Sequence, residues 1–350
     1  MKKIYLSTIS ILCLLIALPF LLQPATAQTS NSNTQSNYRL SGPYTHNNLT
    51  IFLVHGRDLA GNRTFLTLQE ALDQKKVIVY ETKDVNELAI RNVSNQDVYV
   101  QAGDIVKGGD QDRMISVDFI VPRRSKRMPI SAFCVESGRW SRRGSEDNVS
   151  FGSSTNFVTS KELKLAAKSK NSQQAVWENV KVVQDKLSAN VGGLVSSPVS
   201  SSSLELALEN HKVKESTDDY IKALTNITGN KTDVIGYVFA INGHVNSADI
   251  YASRALFAKL WPKLLKANAT EAVAELQADG AAAEGAPAKP VTSESVQTFF
   301  DEAEKGAESQ KAVSTRVHLV TKEDDKNVFY ETRDRAQNGG WVHRNYIKKN

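Results

Sequence analysis

Cysteine is nearly absent. The 350 residues contain two, Cys13 and Cys134. Cys13 falls inside an apolar N-terminal run, which leaves one thiol for the rest of the chain and no intramolecular disulfide. Such a chain has to be held by an ordinary apolar core. Beyond residue 27 there is no second apolar run long enough to cross a bilayer. Histidine is scarce: His46, His55, His211, His244, His318 and His343 are scattered, and no pair has HxH or HxxxH spacing. That gives no sequence warrant for a metal site. "EDDKN" at 323–327 lacks the period of a calcium loop. Neither GxxxxGK[ST] nor GxSxG occurs, so phosphate-loop and serine-hydrolase readings have no support. No cofactor and no metal are expected.

What is present begins with "MKKIYLSTISILCLLIALPFLLQPATAQ". Two lysines, an apolar middle and an Ala-Thr-Ala ending read as a secretory signal over residues 1–27, cut before Gln28. The alternative is an uncleaved anchor. The expectation is an exported protein of the periplasm or cell exterior, with no membrane span once the signal is removed. The formal charge is +5, with the excess concentrated at 122–143. There Arg123, Arg124, Lys126, Arg127, Arg139, Arg142 and Arg143 face a single Glu136. This patch suits an anionic ligand, a lipid headgroup or a polysaccharide, or it is a solvated loop. It has no interleaved aromatics, so nucleic acid is not an expected partner.

Residues 28–47 are polar and read as a disordered lead-in. From residue 48 short β-branched and aromatic runs follow one another: "LTIFLVHG", "KVIVYET", "NELAIRNV", "DVYVQAG", "MISVDFIVP" and "MPISAFCVE". They predict a mostly antiparallel β region, interrupted by a helical stretch at 64–76. Helical spacing returns at 172–187, 215–227 and 247–268, with Pro262 expected to kink the last or start a new turn. The Ala/Gly/Pro-rich run 278–290 reads as a flexible loop inside one domain spanning 48–350. A helix, a strand pair and a last strand, "WVHRNYIKK", follow it. The fold class is α+β, with a β-rich N-terminal half and helices packed in the C-terminal half.

Two polar constellations stand out. "QAGDIVKGGDQDR" (101–113) supplies Lys107, Gly108, Gln111, Asp112 and Arg113, while "CVESGRW" supplies Glu136, Arg139 and Trp140. If "MISVDFIVP" and "MPISAFCVE" form a hairpin around "RRSKR", Asp112 and Arg113 meet Glu136 and Arg139 at one rim. Arginine forks hold carboxylate or phosphate, and tryptophan stacks on sugars. The competing reading is a structural network in which Arg113 pairs Glu136, Asp112 pairs Arg139 and Trp140 covers the core. Cys134, in the strand "SAFCVES", reads as a packed thiol.

These residues also carry a resemblance. "VNELAIRNVSNQDVYVQAGDIVKGGDQDR" followed by "VPRRSKRMPISAFCVESGRW" resembles the ARG and Rhodanese-Phosphatase-superfamily-associated domain family. Gly103, Gly108, Gln111, Arg113, Cys134, Glu136, Gly138, Arg139 and Trp140 match its motif. "DVIGYVFAINGHVNSADIY" and "WVHRNYI" look like its later strand–helix unit and its terminal strand. The resemblance implies one domain over roughly 48–348 and no established reaction. The functional expectation is a ligand-binding domain whose rim (Lys107, Gly108, Gln111, Arg113, Glu136, Arg139, Trp140) takes a small anionic or sugar-like molecule. The alternatives are a phosphoester or glycoside hydrolase using Glu136 or Asp112 as base, and an envelope protein docking through 122–143.

Overall fold

The computed structural model describes Met1 and residues 38–349, apart from 62, 148 and 277–289. The expected signal 1–27 and loop 278–290 thus lie, but for Met1 and Pro290, outside the described residues. The first strands are β1 (Arg39–His46), β2 (Leu49–His55) and β3 (Phe65–Thr67), followed by helix α1 (Leu68–Asp73). Next come β4 (Val77–Asp84), β5 (Glu87–Asn92), β6 (Asp97–Val100) and β7 (Asp104–Gly108). They are followed by β8 (Arg113–Ile115), β9 (Phe119–Val121), β10 (Met128–Cys134) and β11 (Ser150–Phe157). Four helices intervene: α2 (Lys161–Lys168), α3 (Gln173–Asn190), α4 (Leu204–Leu208) and α5 (His211–Leu224). The chain continues through β12 (Val234–Ile241), β13 (His244–Tyr251), α6 (Arg254–Ala274) and α7 (Ser293–Ala303). It ends in β14 (Ala307–Ala312), β15 (Val317–Glu323), β16 (Asn327–Asp334) and β17 (Gly340–Lys348).

Three sheets result. The largest has eight strands in the order β1-β2-β12-β13-β17-β16-β15-β14, and β10-β5-β4-β11-β7-β8 close into a barrel. The third, β3-β6-β9, contains the parallel pair β3–β6. The α+β class with mostly antiparallel sheets stands, but the expected split into a β-rich N-terminal half and helices packed in the C-terminal half is not confirmed, since the C-terminal half also holds six strands. Strands β12 to β17 come from the C-terminal part and join β1 and β2 across the length of the chain. The polar segment expected as a disordered lead-in over 28–47 is strand from Arg39 to His46, because β2 supplies a paired edge for it. The expected hairpin of "MISVDFIVP" with "MPISAFCVE" is also revised. β9 leaves for the three-stranded sheet, while β8 alone pairs β10, with Arg113 opposite Cys134.

The sequence read residues 247–268 as helix. In the structure the segment from His244 to Tyr251 is strand, because Asn242-Gly243 makes a two-residue hairpin turn with both residues at positive φ, 52° and 77°. Asn-Gly is the dipeptide that such turns favour. Helix α6 starts only after Ser253, whose hydroxyl accepts from Leu256 N. It runs on through Pro262 without a break, although proline removes one backbone bond. Every residue of β12 is buried. One face packs on α5 and α6 through Tyr237 and Phe239, and the other on α7 through Ile235 and Val238. Fully apolar strands of this kind need cover on both faces. The barrel has its own core, including Val79, Leu88, Val106, Ile115 and Ala132.

Candidate functional site

The rim assembles, but it closes on itself. Asp112 N donates to Glu136 Oε2 at 3.1 Å, and Arg139 Nε donates to the same oxygen at 2.9 Å. Asp112 and Arg139 lie 3.5 Å apart, the pair expected from the sequence. The other expected pair does not form: Arg113 turns to Glu81 on β4 at 3.3 Å and to Val85 O at 2.8 Å. Arg143, read as part of a basic surface, grips Asp112 with a two-pronged fork at 2.8 and 3.1 Å and also holds Glu146 at 2.8 Å.

Gly108 and Gly109 make the bend that allows this, with φ of +126° and +56°. A Cβ on Gly109 would stand 2.5 Å from the Phe151 ring and 2.6 Å from Glu81 Oε2. Gln111, Asp112 and Glu136 are fully buried, Arg113 and Arg139 nearly so, and Lys107 is tied to Glu209 at 2.6 Å. Burial raises the Asp112 carboxyl above its usual range against the pull of Arg143. Burial opposes the Glu136 charge, but Arg139, Ser200 and the Asp112 backbone together hold its carboxyl below its usual range. Trp140 is 58 % exposed and covers no core. Of the residues put forward for ligand contact, Glu136 and Arg139 bind each other, Arg113 and Lys107 bind Glu81 and Glu209, and Trp140 is exposed.

A second polar assembly, unsuspected from the sequence, lies where the barrel, helix α2 and the large sheet meet. It surrounds a cavity of about 20 Å³, room for one or two waters or a single small charged group. His343 on β17 sits between two carboxylates, with Nδ1 2.8 Å from Asp118 Oδ2 and Nε2 3.0 Å from Asp249 Oδ1. Asp118 also accepts from Ala102 N at 2.9 Å and Thr332 Oγ1 at 2.6 Å. Asp249 accepts from Tyr237 and from Asn345, each at 3.0 Å. With both ring nitrogens against carboxylates, the imidazole is doubly protonated.

The electrostatics follow from these contacts. Burial disfavours charge on His343, but Asp118 and Asp249 outweigh it and raise its pKa. Burial likewise opposes the Asp118 charge, yet the imidazolium holds that carboxyl well below the usual range, and Asp249 is lowered too. Two further cations line the cavity from α2, Lys164 and Lys168, one helical turn apart. Neither makes a hydrogen bond or ion pair among the described residues. Lys164 Nζ lies 5.5 Å from the Phe157 ring centre, and Lys168 Nζ lies 4.1 Å from that of Tyr330. Burial lowers the Lys168 pKa against Asp118 and Asp249. Gly103 keeps the wall thin, since a Cβ there, at φ +104°, would meet the Phe157 ring at 2.6 Å.

Both assemblies lie within residues 37–347, which match the family described as the ARG and Rhodanese-Phosphatase-superfamily-associated Protein domain. The chain belongs to that family. No curated protein and no solved structure matches it. The family match begins next to β1 and ends inside β17, so the domain takes in the whole large sheet as well as the barrel. Among the described residues no group of three or more His, Cys, Asp and Glu side chains is placed to hold a metal ion. No described helix is long and apolar enough to cross a membrane.

The sequence reading missed the cavity because its charges come from Asp118, Asp249, His343 and the α2 lysines, on separate elements. A signal existed: Asp118 in "SVDFIV", Asp249 in "SADIY" and His343 in "WVHRNY" are polar residues inside strand-like runs.

Proposed function

We propose that this domain binds a small ligand through one anionic group, held in the α2 cavity between Lys164 and Lys168. The observation that carries the reading is a pair of ammonium groups that make no direct ion pair among the described residues and feel Asp118, Asp249 and Glu271 only at longer range. Lys164 is only 9 % exposed, and a cation so far out of water normally has a counter-charge. The local tally supports one more negative charge. Asp118 and Asp249 against His343 leave one excess negative charge, and the two lysines reverse it to one excess positive while Glu271, which burial raises to about 7 near Lys164, is protonated. A carboxylate or phosphate balances the site, its bulkier remainder leaving past Ala102 and Lys168, the two lining residues that are not fully buried.

The cavity supports binding better than hydrolysis. Asp118 and Asp249 are both held ionised below their usual range, whereas a general base works best with a pKa near the working pH. The rim carboxylates are already engaged by arginines. Export through the N-terminal signal is part of this proposal, and the mature N-terminus at Gln28 is its check by mass spectrometry.

The test is thermal unfolding of the protein with acetate, pyruvate, succinate, phosphate and sulfate as probes. A ligand at a hundredfold excess over its Kd adds about 2.7 kcal/mol to stability. A concentration-dependent Tm increase that vanishes in Lys164→Met with Lys168→Met is expected. A shift of equal size in that variant, or no shift with any probe, overturns the reading.

A further inference from the structure

We propose that the end of the barrel formed by residues 91–95 and 123–127 is a docking surface for a membrane containing anionic phospholipid. This surface is separate from the α2 cavity and independent of any ligand there. Six cations gather on it: Lys76, Arg91, Arg123, Arg124, Lys126 and Arg127. All are exposed apart from Lys76, which is half-buried. Among the described residues none is paired with a carboxylate. Lys76 reaches Gln96 Oε1 at 3.3 Å, Arg124 Nε donates to Asn95 Oδ1, and Arg127 lies 3.7 Å over the Tyr80 ring.

The nearest acid, Asp97, is already held by Arg316 at 2.7 Å and Arg63 at 3.5 Å. Glu87, at the far end of β5 from Arg91, stands about 13 Å along the strand. Between Arg91 and Arg124 lies an open concavity of about 280 Å³ bordered by Ser94, Asn95 and Ser125. Its donors are of the kind that take a phosphodiester headgroup.

The surface is also rigidly built. Asn92 N donates to Ser125 Oγ at 3.0 Å, Arg123 N to Asp97 Oδ1 at 3.0 Å and Arg124 N to Ser94 O at 2.9 Å. These bonds hold Arg124 at φ +51°, a left-handed conformation that glycine or asparagine adopts more easily. An arginine kept there at an energetic cost suggests that its side chain has a use.

Two features favour a lipid surface over an acidic polysaccharide. Val93 is 45 % exposed in the middle of the cations, the arrangement of an apolar contact ringed by charge. And Tyr80, an aromatic ring on this face, is already covered by Arg127, so it is not offered for stacking on sugar. Trp140 lies beyond the opposite end of β10.

The experiment is co-sedimentation of the mature chain, from Gln28 on, with vesicles of phosphatidylcholine alone and of phosphatidylcholine mixed with phosphatidylglycerol, at low and high salt. Partition to the mixed vesicles that is absent on phosphatidylcholine and weakens with salt is expected. Each arginine lost should lower it about fivefold, so Arg91→Glu with Arg124→Glu should cost at least about 25-fold. Arg124→Gly separates the side chain from the fold. It relieves the left-handed residue, so the Tm should hold or rise while partition drops. Equal partition to both vesicle types, no partition to either, or unchanged partition in the variants overturns the proposal. Retention on an acidic polysaccharide resin without vesicle binding also overturns it.

Discussion

His343 Nδ1 lies 2.8 Å from Asp118 Oδ2, across 225 residues of sequence, and the same ring reaches Asp249 at 3.0 Å. The imidazolium lies between two carboxylates that have almost no access to water and offsets one of their two charges. Replacing His343 by Gln keeps a hydrogen-bonding side chain but removes the cation that touches both buried carboxylates. A loss of about 3–5 kcal/mol near neutral pH is expected in urea unfolding.

The same contact gives a pH dependence of known sign. A histidine with a raised folded pKa adds stability that is fully present below about 6.5 and is lost as pH rises through the folded value. Wild-type stability should therefore fall from pH 6 towards pH 9, and the His343→Gln variant should lose that part of the slope. Identical slopes in the two proteins would show that the ring is not charged.

Glu271 on α6 offers a second titration. Its carboxyl is 2 % exposed and burial pushes it up to about 7, against Lys164 and an Asn246 contact of 2.9 Å. A carboxyl raised from 4.5 favours the folded state at low pH, and that advantage disappears between about 4.5 and 7. Glu271→Gln removes the penalty of ionising it. The variant should be more stable than wild type at pH 8, by at most about 3 kcal/mol, with the gain disappearing near pH 4.5. A variant less stable than wild type at pH 8 would contradict the assignment.

At the rim, Arg143→Ala and Trp140→Ala should diverge. Arg143 is the two-pronged partner of a fully buried Asp112, so its loss should cost about 3–5 kcal/mol. Trp140 is largely exposed, and its removal should stay within about 0.5 kcal/mol. Denaturant midpoints for both variants measure the contrast.

Cys134 is fully buried, and burial pushes its thiol up to about 11. A thiol reagent at pH 8 should leave Cys134 unlabelled in the native protein and react with it once denaturant is added. Fast labelling of the native state would reveal local opening of β10.

How much of this was legible depended on sequence distance. Glu136 and Arg139 stand three residues apart, and β8 is close enough to β10 for their pairing to be read from the runs themselves. Arg113 went to Glu81 instead of Glu136 because closure of the barrel brings the end of β4, three strands away in the barrel order, within its reach, a closure that no local pattern encodes. Arg143 looked like surface charge because charge counts say nothing of side-chain direction. The β12–β13 hairpin was encoded in Asn242-Gly243 and hidden by the alanine-rich helix signal just after it. The cavity was illegible as a unit, since β13, β17, α2 and the segment before β9 meet only in the finished fold.

The pairing of Val54 with Gly236 bears on how the chain acquires its structure. During synthesis the β1–β2 hairpin leaves the ribosome long before β12 exists, and one edge of β2 stays open meanwhile. The barrel strands are all made in that interval and can close among themselves. The eight-stranded sheet, by contrast, needs an N-terminal hairpin to wait for the last third of the chain. Long-range pairing of this kind is slow and prone to wrong partners. A truncation before β12 should therefore leave a folded barrel attached to an aggregation-prone hairpin.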